Sequence, residues 1–378
     1  MKRTLKKIQK MKKRKIFLVA GARPNFMKIA PLWRELKKFP SQFSSYIIHT
    51  GQHYDYEMSR IFFKNLGLPR PHFYLRVGSA SHAKQTAKIM VKFEKVVCDQ
   101  MPDIITVVGD VNSTLACSLV AAKLRVPLAH VEAGLRSFDR EMPEEINRVV
   151  ADTLSDYLFT TCEDANRNLR REGIPQEKIF FVGNVMIDTL LSLKREAQGR
   201  NTWKTFGLRK KGYALLTLHR PENVDKKEVF VNILEAFRKI GNHIPIIFPI
   251  HPRAAKQVEK FKLGRYFSSK TNSGIYNFKP LGYIDFLNLM CNSKFVLTDS
   301  GGIQEETTVL NIPCLTLRKN TERPVTVTEG TNIVVGADPR RIVSEATRII
   351  NGKEKKGGIP LLWEGKAAQR IVKVLLNS

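Results

Sequence analysis

The chain has 378 residues, of which 43% are apolar and 9% aromatic, and its 63 Lys or Arg against 35 Asp or Glu give a formal net charge of +28. Such a length points to two domains of about 150 residues each, and the composition supplies full cores and excludes a disordered or fibrous chain. No apolar run approaches the roughly 18 to 20 residues needed to span a bilayer.

The N-terminus is basic but lacks the apolar stretch and small-residue cleavage site of a secretory signal. Cys98, Cys117, Cys162, Cys291 and Cys314 are odd in number and far apart. They read as reduced core thiols of a cytoplasmic protein rather than a disulfide frame or a zinc site. Residues 1–15 hold nine Lys or Arg and no acid, so residues 1–14 read as a basic, solvated tail. Binding of the tail to a polyanion or a membrane surface is the alternative. The other basic residues are dispersed rather than gathered with aromatics into a stripe, so nucleic acid is not an expected partner. A generally positive field also draws in small anionic substrates.

After the tail, short β-branched apolar runs alternate with helical patterns. The expected strands are 16–20, 45–50, 104–110, 126–131, 157–161 and 179–183, then 213–218, 245–250, 277–280, 294–299 and 312–317. This alternation is the signature of βαβ units and parallel sheets. The expected fold class is α/β, with two doubly wound Rossmann-like domains, 15–185 and 186–362, facing a central cleft. Residues 363–378 are expected as a C-terminal helix, amphipathic from Lys366 to Asn377, packing back on the first domain.

In such sheets ligands bind just beyond the carboxyl ends of the strands, and the polar motifs of this chain collect there. GARPNFMK (21–28) follows the first strand, with Gly21 for a sharp turn, Pro24 to start a helix, and Arg23 and Lys28 as cations near its N-terminus. Together with the helix amides they make an anion site or, read plainly, surface cations. VVGDVNSTLA (107–116) places Asp110 at a strand end, with Asn112 or Ser113 in position to cap the next helix. Asp110 is either part of that cap or a carboxylate in the cleft. HVEAGLRSFDREMPEEINR (130–148) crowds Glu132, Asp139, Glu141, Glu144 and Glu145 together with His130, Arg136, Arg140 and Arg148.

In the second half, TLHRPENVD (217–225) carries His219 out of an apolar run beside Arg220, and IHPR (250–253) repeats the pattern with His251. TDSGGIQEE (298–306) ends a strand at Asp299 and opens a helix at Ser300, Gly301 and Gly302, whose bare amides suit a diphosphate. Glu305 and Glu306 follow one turn later, where a carboxylate can accept from ribose hydroxyls, and Arg318 and Arg323 add cations after the next strand. No HExxH or CxxC spacing occurs, so no metal is expected.

Taken in order, GARPNFMKIAPL, TGQHYDYEMS, GDVNSTLA, HVEAGLRSFDREMPEEINR, LTLHRPENVD, TDSGGIQEE and TERPVTVTEGT resemble the non-hydrolysing UDP-N-acetylglucosamine 2-epimerases from about residue 15 to the C-terminus. The resemblance implies a glycosyltransferase-B-like architecture, a homodimer, and interconversion of UDP-GlcNAc and UDP-ManNAc for surface polysaccharide precursors, with no cofactor. UDP is eliminated to a glycal and added back after C2 is reprotonated on the opposite face. By motif, Asp110, Glu132 and Glu144 form the acid/base set, with His219 near the leaving group. Arg23, Lys28, His219, Ser300, Gly301, Gly302, Glu306 and Arg323 hold UDP, Phe286 of GYIDF lies by the uracil, and His53 and Arg148 are further substrate contacts. Asp139, Glu141 and Glu145 are expected to pair with neighbouring arginines.

The chain departs from the common pattern in the longer TGQHYDYEMS loop and in Pro221, where His-Arg-Arg-Glu-Asn is usual. GARP followed by an aromatic residue and Lys, together with HTGQH, is similar to the relatives that epimerise UDP-2,3-diacetamido-glucuronic acid, so that sugar is the alternative substrate. A glycosyltransferase of the same fold and a hydrolysing relative are the remaining rivals.

Overall fold

The computed structural model describes residues 13–52, 63 and 65–378, with the backbone alone at Arg23. Most of the basic tail, most of the TGQHYDYEMS loop, His53 and the Arg23 side chain lie outside the described residues. The chain divides into two compact units. The first comprises the described residues through Gly134, with Asp139–Val185 and Lys366–Ser378; the second comprises Leu135–Phe138 and Met186–Gly365.

The first unit is built on β1 (Arg14–Ala20), β2 (Phe43–His49), β3 (Phe73–Tyr74), β4 (Ile104–Val108), β5 (Leu128–Ala133), β6 (Tyr157–Thr160) and β7 (Ile179–Phe181). All pair in parallel, in the order β3-β2-β1-β4-β5-β6-β7. Strands covered by helices on both faces must be apolar on both faces, and β4 is buried at all five positions. Phe17, Val107, Ile89, Phe93 and Val120 meet in one core cluster. The strand order reverses between β1 and β4, which makes their carboxyl ends the ligand-binding crevice of this fold.

The second unit repeats the plan with β8 (Ala214–Thr217), β9 (Ile246–Pro249), β10 (Ile275–Phe278), β11 (Phe295–Thr298), β12 (Cys314–Thr316) and β13 (Asn332–Val334). Its parallel order is β10-β9-β8-β11-β12-β13, around a core that includes Phe230, Phe237, Phe248 and Phe295. Here the order reverses between β8 and β11, so His219 and Asp299–Gly302 leave the sheet side by side.

Two strands were not expected. β3 has two residues and β13 three, both on outer edges where a strand has one neighbour and needs little apolar length. The expected strand 277–280 falls two residues early, because Pro280 cannot donate to a sheet ladder. β1 begins at Arg14, inside the stretch assigned to the tail. Its guanidinium bonds the Ser378 carbonyl at 2.9 Å and also the Leu375 carbonyl. The helix Ala367–Asn377, which carries Leu375 and is followed by Ser378, packs on the helix Arg23–Leu36. No helix among the described residues is long and apolar enough to cross a membrane.

Candidate active site

In the first unit two of the expected acids stand at adjacent strand ends, Asp110 after β4 and Glu132 in β5, and the third, Glu144, opens the helix that follows β5. Glu132 lies at the end of β5, where pairing with β6 slips between Val131 and Ala133. It adopts φ +74, a left-handed conformation that costs a non-glycine residue about 1 kcal/mol or more and tends to be kept at functional sites. The bulge takes Glu132 out of the sheet alternation, and its buried carboxylate forms an ion pair with the buried Lys28 ammonium. Lys28 thus meets a carboxylate of its own unit, beside Gly109 (φ +67), whose added β-carbon would come 2.7 Å from Lys28 Nζ.

Asp110 follows Gly109. Its carboxylate receives the Arg148 guanidinium at 2.5 Å, and its carbonyl accepts from Asn147 at 2.8 Å. Glu144 is half-buried in the first turn of the helix Pro143–Leu154, with no side-chain hydrogen bond or ion pair among the described residues. Arg148, one turn on, is buried and also bonds Glu145 at 2.9 Å. Arg148, expected as a substrate contact, is thus paired with both Asp110 and Glu145. Glu145 pairs as expected. Asp139 accepts from the Glu141 amide at 3.0 Å, whereas exposed Glu141 makes no ion pair among the described residues.

The capping expectation for this loop is overturned. Val111 is the N-cap and no side chain caps the helix Asn112–Lys123. Asn112 instead donates to Gln85 at 2.8 Å, and Ser113 donates to Gln52 at 2.8 Å. Both residues are buried, and a buried amide or hydroxyl goes to whichever buried partner needs it. Gly21 is likewise there for closeness, not for its turn angle: a β-carbon would overlap Ser113 and lie 3.0 Å from Thr50 Oγ1. Asn25 accepts from the amides of Gly21 and Ala22 at 3.1 and 2.9 Å, fixing the start of the helix.

In the second unit His219 follows β8 and Asp299 follows β11. His219 Nδ1 lies 2.8 Å from Asp299 Oδ1. The fully buried Asp299 also accepts from the amides of His219 and Arg220 at 3.0 and 2.9 Å and from Asn223 Nδ2 at 3.1 Å. Burial alone would raise the Asp299 pKa, but the His219 bond and charge with the two amides outweigh it and hold the carboxyl below its ordinary value. A carboxylate on Nδ1 fixes the imidazole tautomer and leaves Nε2 for other work. The His219 side chain is 40% exposed, so that nitrogen can reach a ligand. Asp299 was read only as a strand end. His251 stands 5.5 Å away, ring to ring, and caps its own helix through the Arg253 amide at 3.2 Å.

Ser300, Gly301 and Gly302 open the helix Gly301–Val309 with no side-chain cap, leaving first-turn amides for an anion. Beside them three arginines share one buried carboxylate. Glu322 is 2.5 Å from Arg323, 2.7 Å from Arg318 and 3.9 Å from Arg220. Arg323 also bonds Glu305 at 2.7 Å. Glu322 and Glu305 thus hold three guanidinium groups close to the helix start. Glu322 was not expected as a member, and Glu305, expected where a carboxylate accepts from ribose hydroxyls, is instead bonded to Arg323; acids beside an anion site look unhelpful until the arginines they orient are seen. Tyr283, also unexpected, donates to Glu306 at 2.7 Å. Burial, with the nearby Glu305 charge and against the Tyr283 bond, pushes the Glu306 carboxyl up to about 7. Phe286 is half-buried on the Tyr283 helix, Tyr283–Asn292.

Two doubly wound units, one ending in a set of carboxylates and the other in a cationic helix start, place the chain among the glycosyltransferase-B-like nucleotide-sugar enzymes. Residues 34–376 match the UDP-N-acetylglucosamine 2-epimerase family, and the chain belongs to that family. It is 46% identical over 366 residues to the UDP-N-acetylglucosamine 2-epimerase of Methanocaldococcus jannaschii, covering 96% of this chain and 98% of the relative. A crystal structure of the Methanocaldococcus jannaschii enzyme in complex with UDP-GlcNAc and UDP superposes with a TM-score of 0.88 at 45% identity, over 96% of this chain and 100% of that one. The UDP-2,3-diacetamido-2,3-dideoxy-D-glucuronate 2-epimerase of Pseudomonas aeruginosa is 39% identical over 365 residues, covering 96% of this chain and 99% of the relative.

Proposed function

We propose that the protein interconverts UDP-GlcNAc and UDP-ManNAc without net hydrolysis. The observation that supports the reading is that Asp110 and Glu132 stand at the adjoining ends of β4 and β5, each paired with a buried cation, with Glu144 in the first turn of the next helix. A proton on C2 of an acetamido sugar is weakly acidic, and its removal calls for positioned carboxylates. In the proposed cycle one carboxylate takes the C2 proton as the C1–O bond to UDP breaks, giving a glycal. A second acid returns a proton to the opposite face of C2, and UDP re-forms the C1–O bond. The departing diphosphate needs cations and fixed dipoles, for which the Gly301 helix start, Arg323, Arg318 and Arg220 are suited. His219, clamped by Asp299, is placed to exchange a proton with a leaving phosphate oxygen. Glu306 is proposed to accept from the ribose, with Phe286 near the uracil and Arg23, Lys28 and His53 as further contacts.

A second reading, epimerisation of UDP-2,3-diacetamido-glucuronic acid by the same steps, is favoured by the identity to the Pseudomonas aeruginosa enzyme. Its extra carboxylate suits a chain of net charge +28. The experiment incubates purified protein with each sugar nucleotide in D2O and follows C2 by NMR. Epimer formation with deuterium at C2 from UDP-GlcNAc supports the first reading. Turnover of the diacetamido-uronate alone supports the second, free sugar indicates hydrolysis, and no reaction without an acceptor indicates a transferase. The proposed homodimer rests on the resemblance and the proposed cytoplasmic setting on the scattered cysteines, and light scattering of the purified protein tests the former.

A further inference from the structure

Behind the three carboxylates of the first unit lies a buried pair that their chemistry does not use. His130, in β5, is wholly buried, and Asp152, on the helix Pro143–Leu154, is 1% exposed. His130 Nδ1 is 2.6 Å from Asp152 Oδ1, and His130 Nε2 is 2.8 Å from the Gly109 carbonyl oxygen. The other Asp152 oxygen accepts from the Gly134 amide at 3.0 Å. A carbonyl oxygen only accepts, so Nε2 carries a hydrogen. The second proton of the pair lies on the line between Nδ1 and Oδ1, whether held by the imidazole or by the carboxyl. Either way the pair is neutral as a whole and these bonds are satisfied, the condition under which polar groups tolerate full burial.

The bonds end at informative places. Gly109 immediately precedes Asp110, and its own amide donates to the Val131 carbonyl at 3.1 Å. Gly134 directly follows the bulge, between Val131 and Ala133, that carries Glu132. Asp152 stands on the same helix as Glu144, about two turns on. One histidine and one aspartate therefore tie together the three segments that bear the acids. We propose that the His130–Asp152 pair is a positioning element that holds Asp110, Glu132 and Glu144 in fixed relation, a role that rests on reading those three as the acid/base set. Neither residue needs to touch the substrate. Misplacing a reacting group by about 1 Å can cost on the order of 100-fold in rate.

The test compares Asp152→Asn with Asp152→Ala. Asparagine has the shape of aspartate: its oxygen can accept from Gly134 while its amide donates to an unprotonated His130 Nδ1, so each bond survives without charge. Alanine removes two of them. The expected result is a kcat loss of roughly 100-fold for Asp152→Ala, with KM within about threefold, and near-complete rescue in Asp152→Asn, to within about fivefold of wild type. UDP affinity, measured by calorimetry, is expected to be unchanged in both. A folded Asp152→Ala with wild-type kcat, or an Asp152→Asn as impaired as alanine, overturns the proposal. If Asp152→Ala does not fold, His130→Gln replaces it: a fall in kcat with UDP binding intact supports the role, and wild-type kcat overturns it. If wild type turns over neither sugar nucleotide, the functional reading fails on its own. The pair is then judged by amide exchange at Gly134, expected slow in wild type and Asp152→Asn and fast in Asp152→Ala or His130→Gln. Equal protection overturns it.

Discussion

An alanine at position 301 would place one methyl group in the most constrained corner of the second unit. Its β-carbon would fall on Arg323 Nη1, 2.9 Å from Arg323 Cζ and 3.0 Å from Glu322 Oε1. The guanidinium cannot swing away cheaply, because Nε is held by Glu305 at 2.7 Å and Nη1 by Glu322 at 2.5 Å. Overpacking of this kind costs about 1–3 kcal/mol, and replacing glycine by alanine in a helix returns about 0.5–1 kcal/mol. The expected net destabilisation is therefore no more than about 2.5 kcal/mol, and the protein should remain folded. The displacement of Arg323 should instead be felt by the ligand, with UDP binding weakened about 10- to 100-fold at 1.4 kcal/mol per tenfold. Gly264→Ala is the internal control, since its β-carbon would meet nothing within 4 Å. Thermal denaturation and titration calorimetry with UDP measure both quantities. A folded Gly301→Ala that binds UDP within twofold of wild type would refute the assignment of Arg323 to the anion site.

Glu144→Gln should abolish deuterium exchange at C2 while leaving UDP affinity intact, and unimpaired exchange would remove Glu144 from the acid/base set. Asp299→Asn turns an amide toward groups that need an acceptor and frees the His219 tautomer, so kcat should fall at least 100-fold; an unaltered kcat in steady-state kinetics would dissolve the dyad. Glu306, with its folded pKa raised to about 7, favours the fold while protonated below about 4.5 and loses about 3 kcal/mol of that as pH rises through 7. Glu306→Gln should flatten this part of the urea-midpoint profile. His49 behaves in the opposite sense. Burial lowers it from 6.5 to about 4, so its contribution is intact above 6.5 and about 3 kcal/mol is lost as pH falls through 4. His49→Asn, which can still accept from the Gly51 amide bonded to His49 Nδ1 at 3.0 Å, should lose less stability than wild type over that range.

The fold was legible because parallel strands buried on both faces must be written as apolar runs, and eleven of them stood out. What the sequence could not show was the geometry of single residues and the pairing of distant ones. Nothing in HVEA announces that Glu132 takes a left-handed backbone at a bulge. The acids and cations were readable as types at strand ends, but their partners were not. Asp299 meets His219 across 80 residues, and Arg148 meets Asp110 across 38. Such pairs are fixed by sheet order, which local composition does not encode. The capping expectation at Asn112 failed for the same reason: a local rule gave way to Gln85, 27 residues away.

The sharpest instance is a comparison between the two histidine–aspartate pairs, one in each unit. In sequence, His130 and His219 look alike, each leaving an apolar strand beside charged residues. In structure each meets a buried carboxylate through Nδ1, at 2.6 and 2.8 Å. The difference lies in the other nitrogen. His130 Nε2 is spent on a backbone carbonyl inside a wholly buried side chain, whereas the His219 side chain is 40% exposed and its Nε2 has no partner among the described residues. A histidine with both nitrogens committed can hold a loop but cannot give or take a proton from a substrate. One with a clamped Nδ1 and an open Nε2 can. The same pair of residue types therefore serves as a brace in one unit and is fitted for proton transfer in the other, and solvent exposure of a single nitrogen decides which.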